Sequence, residues 1–143
     1  MTWISAVDAR ELEASLMSSR AFADNAASLT YEEVGYEMSL QANVRELHLS
    51  DGSVLWSRVK KEFKLLVCGS DKKYADLRKQ LHRQSGQVTI TIVSLISSTL
   101  GNVIGATAAV ISPIISLLLL ATVRIGVAAL REGPDIDQPI RSA

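Results

Sequence analysis

The side chains of this chain best placed to do chemistry are cations. Arg58, Lys60, Lys61, Lys64, Lys72, Lys73, Arg78, Lys79 and Arg83 stand between positions 58 and 83, with Trp56 and Tyr74 beside them. Clustered cations near aromatic rings fit a phosphate-bearing ligand such as a short oligonucleotide, whose bases stack on Tyr74 or Trp56. The cluster also stands immediately before an apolar run. There it would attract anionic lipid and fix that end on the cytoplasmic side. The plainest alternative is a solvated face that pairs with the acidic N-terminal third of the same or a neighbouring chain. The expected anion, oligonucleotide or lipid contacts are Lys60, Lys61, Lys64, Lys72, Lys73, Tyr74, Arg78, Lys79 and Arg83.

Catalysis finds little support. Serines abound, but the chain has no Gly-x-Ser-x-Gly elbow, no phosphate loop, no nucleotide-binding glycine fingerprint and no His paired with an acid at useful spacing. Glu32 and Glu33 read as helix or turn surface. Cys68 is alone, which excludes an intrachain disulfide and a cysteine-built zinc site, and His48 and His82 lack metal-ligand spacing. The expectation is a non-enzyme with no cofactor and no metal.

The second constellation is made of small and polar residues. Ser94, Ser97, Ser98, Gly101, Asn102, Gly105, Ala108, Ala109 and Ser112 share one side of a helical wheel, opposite Val93, Ile96, Leu100, Val103, Ile104 and Ile111. Gly101, Gly105 and Ala109, four apart, form a ridge without large side chains. In lipid such a ridge lets helices approach closely, and the hydroxyls and the Asn102 amide could bond across helices or line a wet lumen. Tight packing without a conduit is the bland alternative.

These groups need elements to position them, and the charge pattern shows which. Basic and acidic residues number fifteen each, yet residues 1–57 carry three basic against nine acidic, 58–83 nine against three, and 84–143 three against three. Neutrality therefore hides a segregated chain. Residues 84–123 contain no Asp, Glu, Lys, Arg or His in forty positions. As one helix that run would measure about 60 Å, roughly twice the ~30 Å hydrocarbon layer. It must fold back, lie in an interface or be buried by other protomers. Ser112 and Pro113 offer the break, because proline suits the first position of a helix and serine can cap it; Gly101 and Asn102 are the alternative. Two helices, 88–111 and 113–130, then form an apolar hairpin. The row Leu117 to Leu120 lacks a small face and reads as the outer, lipid-facing layer, with Arg124 and Arg131 snorkelling to an interface and a gating charge at Arg124 as the alternative.

Upstream, 2–27 reads as one amphipathic helix through Ile4, Val7, Leu12, Leu16 and Phe22, and 31–49 leans towards helix. Asp51 and Gly52 mark a turn, with a short β-hairpin around 45–56 as the competing reading. Ser53 caps a helix burying Leu55, Val59, Phe63 and Leu66, which Gly69 ends. A short helix from Asp71 then buries Tyr74, Leu77 and Leu81. The tail 132–143 reads as disordered. The fold class is all-α, in three parts: a regulatory and oligomerisation region over 1–86, an apolar membrane-inserting hairpin over 87–131, and the tail.

All seven aromatic residues precede the apolar run, so no Trp or Tyr girdle marks its ends. Conditional insertion follows as the expectation. The helices are buried in a cytoplasmic oligomer until a signal sends them to the membrane.

The layout resembles the small two-helix membrane effectors of bacterial anti-phage systems that are encoded beside nucleotidyltransferases. The resemblance lies in Leu55-Trp56-Ser57-Arg58-Val59-Lys60-Lys61-Glu62-Phe63, the basic helix 71–83 and the hairpin 88–130. It implies a homo-oligomer that opens the inner membrane as a pore or channel and stops phage replication by killing the infected cell. It also implies a short nucleic acid or nucleotide signal, made by a partner nucleotidyltransferase and held by the basic segment. The alternative is a soluble oligomeric adaptor whose apolar helices form a permanent intersubunit core.

Overall fold

The computed structural model describes residues 2–25, 29–42, 52–68, 72–83 and 89–132, and every element among them is a helix. The expected all-α class is what the chain adopts. In order these are α1 (Thr2–Ser5), α2 (Ala9–Leu16), α3 (Arg20–Asn25), α4 (Tyr31–Ala42), α5 (Gly52–Cys68), α6 (Ala75–Arg83), α7 (Thr89–Ile104), α8 (Ala108–Ile125) and α9 (Val127–Glu132). Positions 45–51 of the competing hairpin, the Gly69 cap, Asp71 and the tail from Gly133 lie outside the described residues. Positions 52–56 are helical.

The single N-terminal helix expected over 2–27 is instead three short ones, for reasons of side-chain chemistry. Asp8 sits in an extended conformation and its carboxylate accepts the Arg10 N–H, starting α2 afresh. At the other end the Ser18 hydroxyl donates to the Ser15 carbonyl, and the Ser18 and Ser19 amides close tight turns onto Ser15 and Leu16. The apolar periodicity survives both breaks, since Ile4, Val7, Leu12, Leu16 and Phe22 are all buried. Thr30 and Glu33 open α4 with a reciprocal capping box: the Glu33 N–H donates to Thr30 Oγ1 and the Thr30 N–H donates to Glu33 Oε1, each at 3.2 Å.

The apolar run does fold back, but at neither expected break. α7 ends at Ile104, and Gly105 takes φ +89°, a left-handed conformation that glycine adopts without a Cβ clash. Gly105 and Ala106 both donate their amides to the Gly101 carbonyl, at 2.8 and 2.9 Å. Thr107 then turns extended and α8 begins. Pro113 is the sixth residue of α8, not its first. Its missing amide proton would have bonded Ala109, which lies on the exposed side, so the freed carbonyl is not stranded in the core.

The largest correction concerns layers. α8 is not an outer helix; it is the centre of the molecule. Ile111 and every residue from Ile114 to Thr122 are buried, and α2, α4, α5, α7 and α9 pack around them. A helix that is apolar on all sides needs this many neighbours to be removed from water. The amphipathic helices supply them through one face each: Leu12 and Leu16 from α2, Val34 and Met38 from α4, Leu55, Val59, Phe63 and Leu66 from α5.

Candidate functional site

Two constellations were expected to carry function, and the fold treats them differently. α7 buries Ile92, Val93, Ile96 and Leu100 against α8 as its periodicity implies, while Val103 is exposed and Ile104 half-buried. The small face is divided. Ser97 and Gly101 are buried, Ala108 and Ser112 are half-buried, and Ser94, Ser98, Asn102, Gly105 and Ala109 are exposed. Because the chain reverses at Gly105, the Gly101, Gly105, Ala109 ridge is not one helical row; its members stand on α7, the turn and α8. What α7 does present is an uncharged exposed row, Ile90, Ser94, Ser98 and Asn102. The Ser97 hydroxyl is enclosed and has no hydrogen-bond partner among the described residues.

Among the described residues α8 is the one helix long and apolar enough to cross a membrane, and α7 falls below that length. At 1.5 Å per residue they measure about 27 and 24 Å. The shorter first arm follows from the turn falling at Gly105 instead of Pro113. Arg124 stands in the last turn of α8 and pairs with Glu13 of α2, 2.7 Å from Nη2 to Oε2. Beside this pair the Tyr31 hydroxyl is enclosed, with the Arg124 guanidinium as its charged neighbour. Burial pushes its pKa above the usual phenol value, and the nearby Arg124 guanidinium offsets only part of that.

The basic segment is partly consumed by intrachain contacts. Lys60 of α5 donates to both carboxylate oxygens of Glu32 on α4, at 2.9 and 2.8 Å, and its ammonium lies 5.2 Å from the Trp56 ring centroid. The Trp56 indole N–H donates to the same carboxylate. Lys73 pairs with Glu62 at 2.7 Å and lies 5.6 Å from the Tyr74 centroid. Arg78 donates from Nε to the Leu66 carbonyl at 2.9 Å and from Nη2 to the Leu65 carbonyl at 2.7 Å, fixing α6 to the last turns of α5.

Glu62 is the acid that organises this corner. Burial would raise its pKa, but Lys73 and the Tyr74 hydroxyl, which donates at 2.5 Å, outweigh burial and hold the carboxyl below its usual range. Tyr74 is 1% exposed and Trp56 2%. Their rings are core groups, so the expected base stacking on them has no accessible face. Arg58, Lys61, Lys72, Lys79 and Arg83 remain exposed, and Lys64 is half-buried. Lys60 and Glu32 realise the expected pairing with the acidic third.

Two features were not read from the sequence. Glu32 is not plain surface, since it holds Lys60 and Trp56 together, and Glu13 is the partner of Arg124. Only the isolation of Arg124 near the end of an apolar helix hinted that an acid would meet it. A cleft of about 400 Å³ lies between α2, α7 and α8, and a second of about 470 Å³ lies between the α2–α3 turn, α4 and the start of α8. Among the described residues no group of three His, Cys, Asp or Glu side chains is placed to hold a metal ion. No protein-family model, curated protein or solved structure matches the chain.

Proposed function

We propose that this protein is a conditionally released, membrane-inserting effector whose α7–α8 hairpin leaves the helical sheath and perforates or depolarises a bilayer as an oligomer. The observation that carries the reading is the sheathing itself. A helix of spanning length, with Arg124 as its sole charge, is buried along Ile114–Thr122 by helices of its own chain. Amphipathic helices can exchange that core for a lipid interface, burying the same apolar faces while the hairpin enters hydrocarbon. The uncharged turn Gly105-Ala106-Thr107 removes the charge barrier to passage of the leading end.

The biological setting in this proposal is abortive infection: the protein rests in the bacterial cytoplasm and acts at the inner membrane during phage attack. A short nucleic acid or nucleotide made by a partner nucleotidyltransferase would be the trigger. Among the exposed cations, Lys61, Lys72, Lys79 and Arg83 are the contacts proposed for it. The competing reading is a soluble helical adaptor. One observation favours it: α8 is buried by its own chain, so no second protomer is required to cover it. In that version the apolar core is intrachain and permanent, not intersubunit.

An environment-sensitive fluorophore on Leu118→Cys, in a Cys68→Ser background, separates the two. Insertion shields the probe from an aqueous quencher in the presence of phosphatidylglycerol vesicles and releases a trapped dye. A probe that never reaches lipid, with vesicles intact across trigger conditions, leaves the adaptor reading standing.

A further inference from the structure

α8 is apolar on most of its surface but carries a polar row of Ser112, Ser116 and Arg124 on the side towards α2. α2 lies over that row. Glu11 and Ser15 of α2 and Ser112 and Ser116 of α8 line the same cleft of about 400 Å³, and Glu13 reaches Arg124 at the far end. Of the helices around α8, α2 is a short one of eight residues with two buried side chains, Leu12 and Leu16. Its other tie is the Asp8 amide, which donates to Thr89 Oγ1 at the start of α7, 2.9 Å away. The seam thus encloses a cleft lined in part by polar groups, although α2 also packs closely on α8.

We propose that α2 is a releasable strap across the hairpin, clasped by Glu13 and Arg124 and tethered by Asp8 and Thr89, whose lifting is the first step in exposing α8. This rests on the membrane-inserting reading for its purpose, though not for its geometry. Both clasp side chains are partly open to solvent, 25% for Glu13 and 33% for Arg124, so water can replace each partner at small cost. Lifting α2 uncovers Ser112 and Ser116 together with the apolar surface that Leu12 and Leu16 cover. The apolar faces held by α4 and α5 stay covered, which makes the step a local opening and not unfolding.

The test reads thiol accessibility without any membrane. In a Cys68→Ser background, Ser116→Cys reports the seam and Ser39→Cys, on buried α4, reports general loosening. Glu13→Arg sets two cations against each other and should raise labelling at position 116 about threefold to tenfold while leaving position 39 within about twofold. The reversed pair, Glu13→Arg with Arg124→Glu, should bring position 116 back to the wild-type rate. Unchanged labelling at 116, an equal rise at both positions, or no recovery in the reversed pair would each overturn the strap. Phosphatidylglycerol vesicles are then added: faster dye release by Glu13→Arg supports strap and insertion together. If labelling behaves as stated and no dye escapes, the strap stands and the membrane-inserting reading fails.

Discussion

Gly101 and Ala106 meet across the hairpin turn so closely that a Cβ on Gly101 would stand 2.5 Å from the Ala106 carbonyl oxygen. The Ala106 amide meanwhile donates to the Gly101 carbonyl. The glycine is therefore a requirement of the turn. Gly101→Ala should destabilise the protein by about 1–3 kcal/mol through overpacking against backbone that cannot yield. Gly105→Ala meets open space but keeps φ at +89°, so it should cost about 1 kcal/mol of conformational strain. Asn102→Ala, exposed on the neighbouring position, should stay within about 0.5 kcal/mol. Chemical denaturation of the three variants orders them; equal midpoints would show that the turn does not constrain the chain.

Glu62 gives a pH dependence with a definite sign. Its folded pKa lies below the ordinary value of 4.5, because Lys73 and Tyr74 stabilise the carboxylate more than burial penalises it. The stabilisation is fully present above about pH 4.5 and is lost as pH falls through the depressed folded value. Glu62→Gln cannot titrate, so its stability should fall less between pH 6 and about pH 3 than that of the wild type. Parallel loss in both proteins over that window would assign acid sensitivity elsewhere.

Helix identity was legible in the sequence wherever one face repeated at 3.6 residues. Leu55, Val59, Phe63 and Leu66 on α5, and Tyr74, Leu77 and Leu81 around α6, are buried as that spacing implies. The breaks were less legible, since they depend on local polar chemistry: Asp8 and Ser18 interrupt a periodicity that runs on through them. Pro113 drew the hairpin turn to itself because proline commonly opens a helix. Here the exposed side of α8 leaves the Ala109 carbonyl free at little cost, and Gly105 made the turn with its left-handed backbone. The layer assignment failed for a physical reason. A helix that is apolar all round looks the same whether lipid or protein surrounds it, and only the partners α2, α4 and α5 decide. Of the candidate site, the cations could be read, but which of them are consumed by Glu32 and Glu62 depends on long-range packing.

Arg78 tests the joint between α5 and α6. Its guanidinium donates to two carbonyls at the end of α5, and charge-assisted bonds of this kind contribute about 1.5–3 kcal/mol. Arg78→Met should lose stability of that order. Arg78→Lys should recover less than half of it, because a single ammonium cannot copy the planar fork. Denaturation midpoints decide this; full recovery by lysine would reduce the contact to charge alone.

The division of the basic segment into exposed and engaged cations makes the last prediction selective. Lys61, Lys72, Lys79 and Arg83 are exposed, whereas Lys60 is held by Glu32 and lies beside the Trp56 ring. Each cation near an anionic bilayer contributes about 1 kcal/mol. Replacing these four exposed cations by Gln should therefore weaken binding to phosphatidylglycerol vesicles by two to three orders of magnitude at low salt, in the range of about 4 kcal/mol. Lys60→Gln should lower folding stability and leave vesicle binding nearly unchanged. Raising salt to about 1 M shrinks the Debye length to about 3 Å and should abolish most wild-type binding without touching the apolar helices. Sedimentation with sucrose-loaded vesicles measures all three proteins. The same proteins titrated with a short single-stranded oligonucleotide separate the ligand sources, since that affinity should fall by about 0.7 log units per decade of salt for each phosphate neutralised. Equal vesicle and oligonucleotide curves for wild type and the four-fold variant would leave these cations as solvated surface charge.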